Sequence, residues 1–127
     1  MAADVTARNR RNKRAGTDWE TLLLRELRNE GFDVERLRLA GAEDEGDLVV
    51  RGGVRHRPII DIEAKSGKLE PALFVREAVT EARNYERHRG LQPYTALGIA
   101  IAKQRGKNWK DAYVLTTVRE LFGLGDG

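Results

Sequence analysis

Three side chains with chemical potential share one face of a predicted strand. Residues 58–65 read PIIDIEAK, and side chains of a strand alternate between faces, so Asp61, Glu63 and Lys65 point one way. Acids on a covered face cost on the order of several kcal/mol each unless they are paired or bind a metal. This strand alone leaves two interpretations open, a metal site or an exposed face with cross-strand ion pairs.

A fourth candidate, Asp47, begins the preceding strand. Gly52 and Gly53 predict a hairpin connection between the two strands. Antiparallel pairing around such a turn places Asp47 roughly opposite residues 59–63. The carboxylates of Asp47 and Glu63 are therefore expected to converge.

Converging carboxylates suit a hard divalent cation. Oxygen ligands on a rigid sheet favour Mg²⁺ or Mn²⁺, and such an ion can activate water and stabilise charge in phosphodiester hydrolysis. Lys65, two residues beyond Glu63, is then placed to orient the attacking water or to offset charge on the phosphate.

Glu20 adds an acid from a predicted helix. It lies at spacings of three, four and seven residues from the apolar positions Leu23, Leu24 and Leu27. Its carboxylate either caps the helix near Thr17 or leans over the sheet towards the metal site, and we favour the second interpretation.

Helices and strands that can position these residues are predicted along the whole chain. We predict a helix from Thr17 or Asp18 to Gly31, strands over residues 33–39, 47–51 and 58–65, a helix over 71–89, strands over 94–102 and 111–115, and a last helical turn over 116–123. The first three strands predict an antiparallel meander. The apolar strand over 94–102 is expected to lie centrally, buried on both faces. The order α-β-β-β-α-β-β-α predicts an α/β fold with a central mixed five-stranded sheet flanked by helices.

The composition excludes several classes of protein. A chain of 127 residues has the size of one domain, and it has no cysteine and only two histidines, so carboxylates are the main candidates for metal ligands. No apolar run approaches the roughly 18 residues of a membrane span, and the basic N-terminus lacks the apolar segment of a secretory signal. We expect an intracellular, cytoplasmic protein without a membrane partner or an organic cofactor.

Positive charge is concentrated at the start of the chain. Residues 1–14 hold five basic side chains against Asp4, a local charge of +4, so the remainder carries −1 of the chain's +3. Residues 1–15 are interpreted as a flexible arm that grips phosphates, with a solvated tail as the alternative. The candidate DNA contacts are Arg8, Arg10, Arg11, Lys13 and Arg14 in the arm and Lys103, Arg105 and Lys107 in a basic loop.

The ordered segments GTDWE, GFDVER, GDLVV, IDIEAKS and LFVREAVTEA resemble the archaeal-type Holliday junction resolvases. These enzymes are a branch of the PD-(D/E)xK, restriction-endonuclease-like nuclease superfamily, and the resemblance runs from about Gly16 to Leu121. It implies a restriction-endonuclease-like core over residues 16–127 and a Mg²⁺-dependent homodimer that cuts four-way junctions. With the small size, it suggests a phage origin.

The family's site residues carry over to matching positions of this chain. The resemblance implies catalytic roles for Glu20, Asp47, Glu63 and Lys65, with the three acids as metal ligands, and DNA contacts at Arg36 and Arg76. Two positions depart from the family's pattern, since Thr21 and Gly46 stand where relatives have arginine and proline.

The expected function is structure-selective DNA cleavage by paired phosphodiester hydrolysis at four-way junctions, with Mg²⁺ replaceable by Mn²⁺. Two symmetric cuts require two sites in fixed relation, which a two-fold homodimer supplies. The alternatives are another nuclease of the superfamily (nicking, restriction-like, or flap- or end-processing), a non-catalytic DNA-binding module of the same fold, and an accessory subunit.

Overall fold

A computed structural model describes residues 2–38, 43–54 and 57–125 of the chain. The elements are α1 (Ala2–Asn29), β1 (Asp33–Arg36), β2 (Leu48–Val54), β3 (Arg57–Lys65), α2 (Pro71–His88), β4 (Ala96–Ala102), β5 (Tyr113–Leu115) and α3 (Val118–Phe122), with a short 3-10 turn at Trp109–Asp111 before β5. Within these residues no helix is both long and apolar enough to cross a membrane.

The five strands form one mixed sheet in the order β1-β2-β3-β4-β5. The strands β1, β2 and β3 are an antiparallel meander, α2 then crosses over to β4, which runs parallel to β3, and β5 returns antiparallel. The predicted α/β class, mixed sheet and element order are confirmed. All seven residues of β4 are buried as expected, but β3 is the middle strand and β4 lies beside it.

Helices cover both faces of β3. Trp19 and Leu23 of α1 pack with Ile60 and Ile62 on one face, and α2 packs against the other face of the sheet. The face that carries Asp61, Glu63 and Lys65 is therefore not exposed. The alternative of a solvated strand face with cross-strand ion pairs is wrong.

The first helix is longer than predicted. It begins at Ala2 and continues without a break through Gly16, so the predicted start at Thr17 or Asp18 is wrong. Residues 2–16 lack apolar periodicity, and polar and basic side chains with adequate helix propensity hide such an extension from pattern analysis. The division into a flexible arm of residues 1–15 and a domain of residues 16–127 stays a prediction.

The connection between β2 and β3 also differs from the prediction. Gly52 and Gly53 lie inside β2, where the pairing register shifts between Arg51 and Val54, and they form a bulge instead of a turn. Residues 55–56, between β2 and β3, lie outside the described residues. The expected antiparallel pairing of β2 with β3 is still present, since Leu48 lies opposite Ile62.

The helix α2 lies close to the sheet at Gly98. A Cβ atom at this position would lie 2.7 Å from the carbonyl oxygen of Ala78 and 2.9 Å from the Cβ of Ala82. The absence of a side chain therefore lets α2 lie directly on β4 and fixes how far α2 is from β3.

We expect Gly98→Ala to lower the free energy of unfolding by roughly 1–3 kcal/mol, because the added methyl group overpacks the contact between α2 and β4. Urea denaturation measures the change. Gly67→Ala is the matched control, since a Cβ at Gly67 meets nothing within 4 Å. Equal stability of the two variants would contradict this account of the contact.

Candidate active site

Asp47 directly precedes β2, at a point where β3 extends beyond the end of β2. Its backbone N–H donates to the carbonyl oxygen of Ile62 at 2.9 Å, and its Oδ2 accepts from the N–H of Ala64 at 2.7 Å. The carboxylate thus accepts a hydrogen bond from β3 that the backbone of a neighbouring strand would otherwise accept. These two bonds fix the side chain of Asp47 beside Glu63, as the predicted antiparallel pairing required.

The residue before Asp47 must be glycine for this arrangement. Gly46 has φ of +103°, and a Cβ atom there would lie 2.3 Å from Oδ1 of the buried Asp61. Proline, whose φ is fixed near about −65°, cannot adopt this conformation. The departure from the resembled family at Gly46 therefore follows from how this loop crosses β3.

The predicted metal ligands line one cleft of about 420 Å³ between α1 and the sheet. Glu20 reaches the cleft from α1, and Asp47 and Glu63 reach it from β2 and β3. Arg36 also lines the cleft, and its Nε lies 3.0 Å from a carboxylate oxygen of Glu20. The interpretation in which Glu20 leans towards the strand acids matches this placement.

The acids of the cleft repel one another and are partly removed from water. Burial, and then hydrogen bonds with Glu81 and Asp47, raise the pKa of Glu63 far above its ordinary value. Burial and the charge of Asp47 raise the pKa of Glu20, although Arg36 opposes this shift. This shift favours a protonated Glu63 in the metal-free protein, with its one proton donated to either Asp47 or Glu81.

Two functional candidates that the sequence analysis missed lie on α2. Glu77 and Glu81 are four residues apart, and carboxylate oxygens of both lie within 4.8 Å of each other and of a carboxylate oxygen of Glu63. A signal was present, because each acid directly precedes a buried alanine, Ala78 or Ala82, and so lies at the flank of the buried stripe of α2.

Lys65 points towards α2 and away from the cleft. Its Nζ lies 2.5 Å from a carboxylate oxygen of Glu77 and 5.2 Å from the centre of the Phe74 ring. The hydrogen bond to Glu77 and the nearby acids raise the pKa of Lys65 against the opposing effect of burial. The ammonium group therefore stays charged, with Glu77 as its partner.

The composition of the cleft fits a hard divalent cation. Glu20, Asp47 and Glu63 supply only carboxylate oxygens, the donors that Mg²⁺ and Mn²⁺ prefer. Two of these acids share a hydrogen bond instead of meeting a cation, so a bound ion would relieve an existing repulsion. The donor set and its charge are therefore compatible with the predicted metal.

The predicted DNA contacts do not all lie together. Arg10, Arg11, Lys13 and Arg14 are exposed on the first half of α1, and Lys13 lines the acidic cleft. The side chain of Arg8 falls outside the described residues. Lys103 and Arg105 line a second pocket of about 420 Å³ with Ser66, Gly67 and Lys68, at the end of β3. Lys107 is exposed in the same loop.

Arg76 is separated from the other candidates. It lines a groove between α2 and α3 together with Val79 and Thr117. Glu77 and Glu81 face β3 from the same helix, so Arg76 lies on a different side of α2 from the acids. A DNA contact at Arg76 would require a second surface of the molecule.

No protein-family model matches the chain, and the curated proteins contain no significant match. One solved structure similar to the chain is that of Hjc, a Holliday junction resolvase from the archaeal hyperthermophile Archaeoglobus fulgidus. The two chains are 26% identical over 79% of this chain and 70% of that chain, with a TM-score of 0.48.

Asp61 should make the stability of the metal-free protein depend on pH. Burial, and then the charge of Glu81, raise the pKa of Asp61 well above its ordinary value, so the folded protein keeps a proton that the unfolded chain has released. Stability therefore falls as the pH rises above the unfolded value of 3.8 towards the folded pKa. The slope is about 1.4 kcal/mol per pH unit for one such proton.

We expect Asp61→Asn to remove this part of the slope. Urea denaturation with a chelator between about pH 5 and pH 8 measures it, and Asp33→Asn, which changes an exposed acid on β1, is the control. A slope in Asp61→Asn equal to that of the parent protein would contradict the burial of an uncompensated acid.

Proposed function

We propose that this protein is a metal-dependent DNA endonuclease that hydrolyses phosphodiester bonds in four-way junctions, with Mg²⁺ as its cofactor and Mn²⁺ able to substitute. The observation that carries the proposal is the convergence of Glu20, Asp47 and Glu63 in one cleft, next to a basic helical segment. The resemblance of the sequence motifs to junction resolvases supports the choice of substrate.

In this proposal Asp47 and Glu63 bind the ion and Glu20 completes its coordination directly or through water. A bound Mg²⁺ supplies an activated water and stabilises negative charge on the phosphate. Asp47 is suited to its role because two backbone hydrogen bonds hold it to β3. Lys65 keeps its charge but is paired with Glu77 on the α2 side, so it would offset charge on the phosphate or orient the water after leaving this partner.

The DNA backbone needs cations, because the acidic cleft alone repels phosphates. The exposed side chains of Arg10, Arg11, Lys13 and Arg14 lie on the helix that borders the cleft. Lys103 and Arg105 border a second basic pocket where β3 ends. Contacts at both places would hold a strand across the cleft, and binding would weaken with salt because counterions are released.

A homodimer is proposed to form through the end of the sheet at β5. In the described residues this region exposes large apolar side chains on β5, on α3 and just after it, namely Tyr113, Val114, Val118, Leu121, Phe122 and Leu124. Among the described strands β5 pairs with β4 alone, which leaves an edge that a second copy can cover. A two-fold dimer would hold two clefts in fixed relation, as paired cuts across a junction require.

Cleavage of a four-way junction and of a matched linear duplex tests the proposal. We expect Mg²⁺-dependent cutting of the junction, abolition by chelator, and a loss of about a hundredfold or more in Glu63→Gln, which removes a metal ligand. The control Glu70→Gln removes an exposed acid from the start of α2 and should cut normally.

Equal cutting of junction and duplex would contradict the proposed substrate but keep the nuclease chemistry. Failure to cut either substrate would contradict the enzymatic proposal and favour a non-catalytic DNA-binding module.

The basic half of α1 is tested by substituting Arg10, Arg11, Lys13 and Arg14 with alanine. Junction affinity should fall, and the slope of log affinity against log salt should decrease by roughly 0.9 for each phosphate that the variant no longer neutralises. Salt-dependent binding measured by fluorescence anisotropy reports both quantities. Arg25→Ala, in the second half of the same helix, is the control, and an unchanged slope in the quadruple variant would contradict a phosphate-gripping role.

A further inference from the structure

The acids on the α2 side of Glu63 form a group distinct from the cleft that contains Asp47. Three carboxylate oxygens, one from each of Glu63, Glu77 and Glu81, lie within 4.8 Å of one another. Glu63 is buried, and the other two are partly buried between α2 and β3. This spacing is compatible with three ligands around one small cation.

A second observation points to a ligand at the same place. Asp61 lies on β3 two residues before Glu63, on the same face, and is only 1% exposed. Its Oδ2 has no hydrogen-bond partner, and the buried Oε2 of Glu81 has no donor other than a protonated Glu63. Of the charged groups near Asp61, Glu81 has the largest electrostatic effect on the pKa of Asp61. Buried oxygens that lack donors mark a position where an ion or a bound water is expected.

The charge around these oxygens would be unbalanced if the acids were ionised together. Four acids, Asp61, Glu63, Glu77 and Glu81, face the space between β3 and α2, and Lys65 contributes one positive charge through its ion pair with Glu77. Confined carboxylates of this number favour a divalent cation over a further hydrogen-bond donor, because a cation can serve several of them together.

We propose that a divalent cation, Mg²⁺ or Mn²⁺, binds between Glu63, Glu77 and Glu81, with Asp61 behind it as a further oxygen acceptor. The proposal rests on the proposed function in that Glu63 is shared with the ion in the Asp47 cleft. The partial exposure of Glu77 and Glu81 leaves room for water in the coordination shell, as Mg²⁺ usually requires.

Occupation of this site has a consequence for Lys65. Glu77 is the ion-pair partner of Lys65 in the metal-free protein. A cation that recruits Glu77 competes for this carboxylate, and the ammonium group of Lys65 becomes available to a phosphate in the neighbouring cleft. The second ion would thereby link metal loading to the position of the lysine.

Counting bound Mn²⁺ tests the proposal. The full chain is titrated with Mn²⁺ without DNA, and the ions that remain in solution are quantified by electron paramagnetic resonance. We expect two bound ions in the parent protein and one in Glu81→Gln. Glu77→Gln is a second variant of the same site. Glu70→Gln, which changes an acid directly before α2, is the charge-matched control. Circular dichroism confirms that each variant is folded.

The Asp47→Asn variant separates this proposal from the proposed function. The site at α2 is supported if Asp47→Asn keeps one ion and Glu81→Gln binds one ion fewer than the parent protein. This holds even if the cleft binds nothing. A single ion in the parent protein that disappears in Asp47→Asn but stays in Glu81→Gln and Glu77→Gln overturns the second site and leaves the nuclease proposal standing. Unchanged stoichiometry in both α2 variants overturns it as well.

Discussion

The rest of the structure depends on one electrostatic constraint, the burial of Glu63 among other carboxylates on the middle strand of the sheet. Helices cover both faces of β3, so Glu63 is only 8% exposed, and it shares hydrogen bonds with the acids Asp47 and Glu81. In the metal-free protein a proton on Glu63 relieves this repulsion. The divalent cation that we propose would relieve it more completely, and would tie the stability of the sheet to the proposed chemistry.

Two glycines allow the acids to come this close. Gly46 lets the loop before β2 cross directly over Asp61, which places Asp47 beside Glu63. Gly98 lets α2 lie against β4, which brings the acids of that helix up to β3. The cleft and the acids of α2 therefore share Glu63, because the backbone packs closely on both sides of the strand.

The strand part of the site could be predicted from the sequence, because a period of two and a short connection fix which side chains of β2 and β3 converge. The contribution of α2 could not be predicted as directly. Whether Glu77 and Glu81 face β3 depends on the rotation of the helix and on the crossover that places it over this strand. The helical form of residues 2–16 was also missed, because a helix without an apolar stripe leaves no periodic signal.

The central claim is that Asp47 and Glu63 together bind a divalent cation. The most direct measurement is an anomalous difference map from a crystal of the protein soaked in Mn²⁺. We predict a peak in the cleft within coordination distance of a carboxylate oxygen of each residue, on the order of 2.0–2.2 Å as for similar hard cations. A well-diffracting, Mn²⁺-saturated crystal with no peak between Asp47 and Glu63 would contradict the account.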